Sequence, residues 1–187
     1  MNRCLPKPVR LLPTARVRET SAHGYACYLS KVIYLQRATI VQYRVPQQGY
    51  YVGFVDYFKS WQGAAAILKK NAERTTHGVL WTLPKGDIQN LDRQEREYEA
   101  ADVTVKLPSG DKVVCRTYFY HTSRPGKEDI PSLLYKAVIV AGAIEHKLPD
   151  SYVQELMKNP DNGKTQGSNI GVDIDKLRSC VNGYLTL

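Results

Sequence analysis

Between Leu91 and Glu99 the chain sets Glu95 among Arg93, Arg96, Glu97 and Glu99. A carboxylate can take a proton from one group and return it to another, so a glutamate suits acid–base chemistry where burial tunes its pKa. By local sequence alone the stretch reads as a solvated charged patch. The other reactive side chains are dispersed. Cys4, Cys27, Cys115 and Cys180 include no CxxC pair and no histidine at ligand spacing, which argues against a zinc site. Reduced thiols in a cytosolic setting are the simplest reading, because a chain of 187 residues needs no disulfide staples. His77 precedes Gly78 in an apolar run and reads as structural. His146 falls at a helix end before Leu148-Pro149, where its charge suits the negative end of the helix dipole. Neither a P-loop nor a Rossmann glycine pattern is present.

The elements around Glu95 follow from punctuation and period. Residues 77–83 read as a buried strand, closed by Pro84-Lys85-Gly86. Asp87 then caps a short helix across Ile88, Leu91 and Glu95, which puts Glu95 near the helix end or in the turn after it. Residues 100–107 alternate as a strand, Pro108-Ser109-Gly110-Asp111 is a hairpin turn, and 112–120 is the returning strand. Val113, Cys115, Thr117 and Phe119 share one face of it, so Cys115 is expected to be inert core. Upstream, the aromatic and β-branched residues of 24–45 favour strands, 46–49 is a turn signal, and 50–58 and 63–68 read as strands. From Pro131 the period becomes helical, with Leu134, Ala137, Val138, Ala141 and Ile144 on one face. Leu148-Pro149 ends that helix, 151–158 reads as another, and a last helix is expected at 172–181. Strands, a short helix, a hairpin and then helices make an α+β order with a mixed or mostly antiparallel sheet.

Composition narrows the class. No run of roughly 18 apolar residues predicts a membrane span, and the N-terminus shows no apolar signal-peptide core. The net charge of +8 is unevenly spread: residues 1–36 carry Arg3, Lys7, Arg10, Arg16, Arg18 and Lys31 against Glu19 alone, a net +5. The excess is therefore a basic arm and not a charged face, and no nucleic-acid module is recognisable, so no nucleic-acid or membrane partner is expected. Residues 1–22, with Pro6, Pro8 and Pro13, read as a flexible arm. An organellar transit peptide is a looser match, because proline breaks the amphipathic helix such peptides need.

Four ordered stretches resemble the γ-glutamylcyclotransferase family. They are Trp61-Gln62-Gly63-Ala64-Ala65-Ala66-Ile67, His77-Gly78-Val79-Leu80-Trp81, Leu91-Asp92-Arg93-Gln94-Glu95, and a run from Pro131-Ser132 through Tyr135, Gly142-Ala143 and Leu148-Pro149 to Tyr152. The third is similar to the family's L-D-x-Q-E motif. The resemblance implies a small mixed β-barrel with flanking helices, often dimeric and cytoplasmic, without cofactor or metal. It also implies a domain over residues 23–163, between the arm at 1–22 and a tail at 164–187 with a short helix. The implied reaction cyclises γ-glutamyl amino acids or amines to 5-oxoproline and a free amine. Glu95 is the implied acid–base residue, and Tyr98 and Tyr135 are the implied substrate contacts. The chemistry asks for one carboxylate, because the substrate's own amine is the nucleophile; the protein must hold the substrate folded for attack.

The resemblance breaks at one place. The family's first strand leads into a Y-G-S-N loop whose backbone N–H groups hold the substrate. The equivalent place here, Tyr25-Ala26-Cys27-Tyr28-Leu29-Ser30-Lys31, holds no glycine, so close backbone approach to a ligand is disfavoured. Gly167-Ser168-Asn169 lacks the preceding strand and reads as coincidence. The alternative is thus a catalytically impaired member of the family that binds a small ligand or a protein.

Overall fold

A computed structural model of the chain describes residues 15–17, 23–28, 43–95, 98–107, 109–120, 127–168, 170 and 172–187. They form β1 (Ala15–Val17), β2 (His23–Tyr28), β3 (Tyr43–Phe58), β4 (Gly63–Pro84), α1 (Lys85–Gln94), β5 (Tyr98–Lys106), β6 (Lys112–Tyr120), α2 (Leu133–Glu145), α3 (Asp150–Met157) and α4 (Ile174–Val181). The strands pair in the order β3-β4-β2-β6-β5, with β1 added to β2. β2 meets β4 antiparallel and β6 parallel, so the sheet is mixed. Among the described residues the order is an open path, and no pairing of its two end strands closes it into a barrel. No helix among them is long and apolar enough to cross a membrane. Apart from β1, the arm at 1–22 lies outside the described residues, except that β1 falls within it.

Three local expectations are corrected. The turn expected at 46–49 lies inside β3. β3 is an end strand, where a proline's missing N–H can face away from the ladder, and Gly49 takes φ +81, the left-handed region that glycine enters without penalty. The two strands expected at 63–68 and 77–83 are one, since β4 runs unbroken through the polar stretch between them. Lys70 to Arg74 are exposed there, so pairing and not burial holds that part of the strand. Finally, α1 begins at Lys85, which makes Asp87 its third residue and not its cap.

Two compact units divide the described chain. Counting described residues alone, the first holds those between 52 and 69 and between 127 and 187, and the second those between 15 and 51 and between 70 and 120. In the first unit α2 is the centre. Ser132 caps it, its hydroxyl oxygen accepting from the Tyr135 N–H at 3.1 Å, and Leu134 to Ala143 are all buried. A helix apolar all round must be covered all round, and both α3 and α4 pack on it. Lys136, the charged residue in that run, is satisfied by the Asn159 carbonyl at 2.6 Å and the Asp161 carboxylate at 3.1 Å. In the second unit Leu80, Val105 and Cys115 form a small buried cluster under the β5–β6 hairpin, and the Cys115 thiol is fully enclosed.

Candidate active site

Helix α1 buries one side through Ile88 and Leu91. Glu95 follows one turn later on that side, and it is only 5% exposed. Its backbone is held at both ends. The Glu95 N–H donates to the Leu91 carbonyl at 2.9 Å, and the Glu95 carbonyl accepts from the Tyr98 N–H at 2.7 Å. The helix thus ends at Gln94, and the Glu95 turn redirects the chain into β5.

The β5–β6 hairpin faces this turn with two kinds of side chain. Cys115 and Thr117 are buried on one side of β6. Strand alternation sends Arg116, Tyr118 and Tyr120 to the other. There the Arg116 Nη1 donates to the Asp92 Oδ2 at 3.0 Å, and the Tyr118 hydroxyl donates to the Asp92 Oδ1. Burial pushes the Tyr118 hydroxyl far above the ordinary tyrosine range. The bond to Asp92 and its charge push the same way, Arg116 opposes them, and the Glu95 charge adds to the rise. The charges of Asp92, Arg116 and Glu95 thus all reach the Tyr118 hydroxyl.

Tyr98 opens β5 directly opposite Tyr120, their rings edge to face with centroids 5.8 Å apart. Directly opposed residues share a face, so Tyr98 stands on the same side of the hairpin as Arg116 and Tyr118. The turn and the hairpin together bring Glu95 and Tyr98 into one neighbourhood. Tyr135 belongs to the other compact unit and is fully buried there. Its hydroxyl accepts from the Ala66 N–H at 3.3 Å, and its ring lies 4.7 Å from that of Trp61.

The remaining sequence candidates have plain structural positions. His77 is half-buried on β4, and His146 closes α2, its N–H donating to the Gly142 carbonyl at 3.0 Å. Gly167 packs so closely that an added Cβ would lie 2.7 Å from the Ser60 carbonyl oxygen, and the Ser168 N–H donates to that same oxygen at 2.9 Å. Asn169 lies outside the described residues, as do residues 29–34, where the substrate loop is expected. β2 runs parallel to β6 with Ala26 opposite Arg116, so the chain leaves β2 in the direction of Tyr118 and Tyr120. Among the described residues no three potential metal ligands converge.

Asp92, Arg116 and Tyr118 were not singled out by sequence reasoning. A signal exists: Arg116 and Tyr118 alternate with the buried Cys115 and Thr117, and Asp92 precedes Glu95 by three, one helical turn.

Residues 75–156 match the AIG2-like family model. That stretch is less than half of the 187-residue chain. It contains Glu95, Tyr98 and Tyr135 and begins after β2. The chain is 32% identical over 103 residues to a γ-glutamylcyclotransferase of Bos taurus, covering 52% of this chain and 53% of the relative. It is 32% identical over 102 residues to that of Mus musculus, covering 51% and 52%. The chain therefore spans about half the length of the curated relatives it matches. A solved γ-glutamyl cyclotransferase superposes with a TM-score of 0.67 at 23% identity, over 77% of this chain and 87% of that one. The last comparison establishes a shared mixed α/β fold, and the sequence matches bear out the resemblance to the γ-glutamylcyclotransferases.

Proposed function

We propose that the chain cyclises γ-glutamyl amino acids or amines to 5-oxoproline and a free amine, with Glu95 as the acid–base residue. The observation that carries this is the position of Glu95: buried to 5% exposure, hydrogen-bonded through its backbone on both sides, and inside the AIG2-like stretch. Glu95 takes a proton from the substrate's α-ammonium group. The freed amine attacks the γ-carbonyl, forming the new C–N bond of the lactam. The old γ-amide C–N bond breaks as Glu95 returns the proton to the departing nitrogen, and the second proton lost by the new lactam nitrogen leaves on the released amine as its ammonium. Because nucleophile and carbonyl belong to one molecule, holding them in the attack geometry supplies much of the acceleration. Tyr98, beside the Glu95 turn, is assigned to hydrogen-bond the substrate, and Tyr135 is proposed as the second contact from the family resemblance. We extend the proposal to a cytoplasmic homodimer working without cofactor, for which sedimentation of the purified chain tests the stoichiometry.

A second reading is favoured by one observation. The end of β2 is Tyr25-Ala26-Cys27-Tyr28, without glycine where the family places its substrate loop. Losing one preorganised oxyanion donor costs about 10²–10³ in rate, so the same fold would then serve to bind a small ligand or a protein. Release of 5-oxoproline from γ-glutamyl-alanine, compared between the wild type and Glu95→Gln, separates the two. Release that disappears in Glu95→Gln establishes the enzyme. No release from folded wild type across several γ-glutamyl amines establishes the binding role.

A further inference from the structure

Asp92 and Glu95 stand one turn apart at the end of α1, yet only Glu95 is deeply buried. Asp92 is about a third exposed and is held by two groups from β6, the Arg116 guanidinium at 3.0 Å and the Tyr118 hydroxyl. The clamp ties the last turn of α1 to the strand beneath it. A carboxylate left unpaired there would repel a negative charge on Glu95, and Arg116 offsets that repulsion. Resting on the acid–base reading of Glu95 above, we propose that Asp92 and Arg116 are positioning residues for Glu95, their clamped ion pair fixing the turn that carries it and setting the charge its carboxyl meets.

The other titratable groups near the turn are few. On α1, Arg93 is exposed and its Nε donates back to the Gln89 carbonyl at 3.4 Å. On β5, Glu99 and Asp102 are exposed, and Asp102 sits opposite Arg116 in the ladder. Tyr98 and Tyr120 face each other on the same side. β2, which lies beside α1, carries His23, Tyr25, Cys27 and Tyr28. Arg96 and Glu97, next in the sequence, are outside the described residues. None of the described groups is hydrogen-bonded to Asp92 in place of the clamp.

The test follows the Glu95 carboxyl directly, by carbon-detected NMR of the full chain labelled in its glutamate carboxyls, with the Glu95 signal identified by its loss in Glu95→Gln. Arg116→Gln should raise the Glu95 titration midpoint and Asp92→Asn should lower it, each by about half a pH unit or more. Arg116→Lys keeps the charge and should leave the midpoint near its wild-type value. If Arg116→Gln does not fold, the near-isosteric Asp92→Asn still carries the measurement. In parallel, Asp92→Asn should lower kcat for 5-oxoproline release at least tenfold with KM within about twofold, as expected when the acid–base group and not substrate binding is disturbed. A Glu95 midpoint unmoved by both substitutions overturns the proposal even if the chain proves to be a cyclotransferase. Opposite shifts in a chain that releases no 5-oxoproline sustain the charge coupling and overturn the catalytic reading instead.

Discussion

Two stretches of the chain resemble the same family, and the fold uses them in opposite ways. Around Tyr135 the family pattern is a packing device. Ser132 caps α2, Trp61 lies against the tyrosine ring, and Gly63 is pressed so tightly on the Ser132 backbone that a Cβ would come within 2.2 Å of its nitrogen. Around Glu95 the pattern gathers charge. A buried glutamate, a clamped aspartate, an arginine and a tyrosine meet at a helix end beside a hairpin. An apolar jigsaw is sensitive to volume, whereas a polar cluster is sensitive to charge and hydrogen bonding. Residues that mark one family can therefore carry either stability or chemistry, and their surroundings distinguish the two.

The largest effect that would sharpen this contrast is a loss of turnover without a loss of fold. Glu95→Gln keeps the size of the side chain and removes its proton exchange, so 5-oxoproline release should fall by at least about 10²–10⁴-fold, with the thermal midpoint little changed. Retained release would break the contrast at its polar side. Gly63→Ala should do the reverse. The new Cβ meets backbone atoms of Pro131 and Ser132, which cannot swing aside, and overpacking of this kind costs about 3 kcal/mol. Urea unfolding should show that loss, while the activity per folded molecule should hold.

Much of this arrangement is legible in the sequence, and the illegible parts share a cause. The β5–β6 hairpin reads cleanly because alternation and the Pro-Ser-Gly-Asp turn are local signals. So does α2, whose apolar period and Ser132 cap are contained in one segment. The long β4 does not, because Lys70 to Asn71 and Glu73 to Arg74 are polar, and the exposed run from Lys70 to Arg74 carries no apolar alternation to mark a strand. The burial of Glu95 is hidden for a similar reason. Its neighbours Arg93, Arg96, Glu97 and Glu99 predict solvent, and nothing local signals that the turn into β5 leaves its side chain only 5% exposed. Arg116 and Tyr118 are apparent only once β6 is laid next to α1.

A smaller effect would test the apolar side of the contrast at Tyr135 itself. Tyr135→Phe removes one hydroxyl, which accepts the Ala66 N–H, and leaves the ring against Trp61. The Ala66 N–H is only part-buried, so losing its acceptor costs less than the full penalty of a buried group, about 1 kcal/mol, and chemical denaturation should report a loss of that size. If the residue also holds substrate, KM for γ-glutamyl-alanine should rise at least about fivefold, roughly 1 kcal/mol. A stability loss with KM unchanged would assign Tyr135 wholly to packing and leave Tyr98 as the substrate contact.

The smallest effect concerns the polar side at high pH. Tyr118 is raised by burial first, then by its bond to Asp92 and the charges of Asp92 and Glu95. A tyrosine whose folded pKa lies above its unfolded value, near 10, contributes stability that is fully present below that pH. The contribution drains away as pH rises beyond it towards the folded pKa, because the unfolded chain releases the proton first. Ultraviolet titration of the folded chain should therefore show a late transition, well above the ordinary tyrosine range, and Tyr118→Phe should remove it. Asp92→Asn should bring the late transition to lower pH, since it removes the charge and the acceptor that hold the proton on Tyr118. If the late transition survives in Tyr118→Phe, the polar cluster owes its character to some other tyrosine.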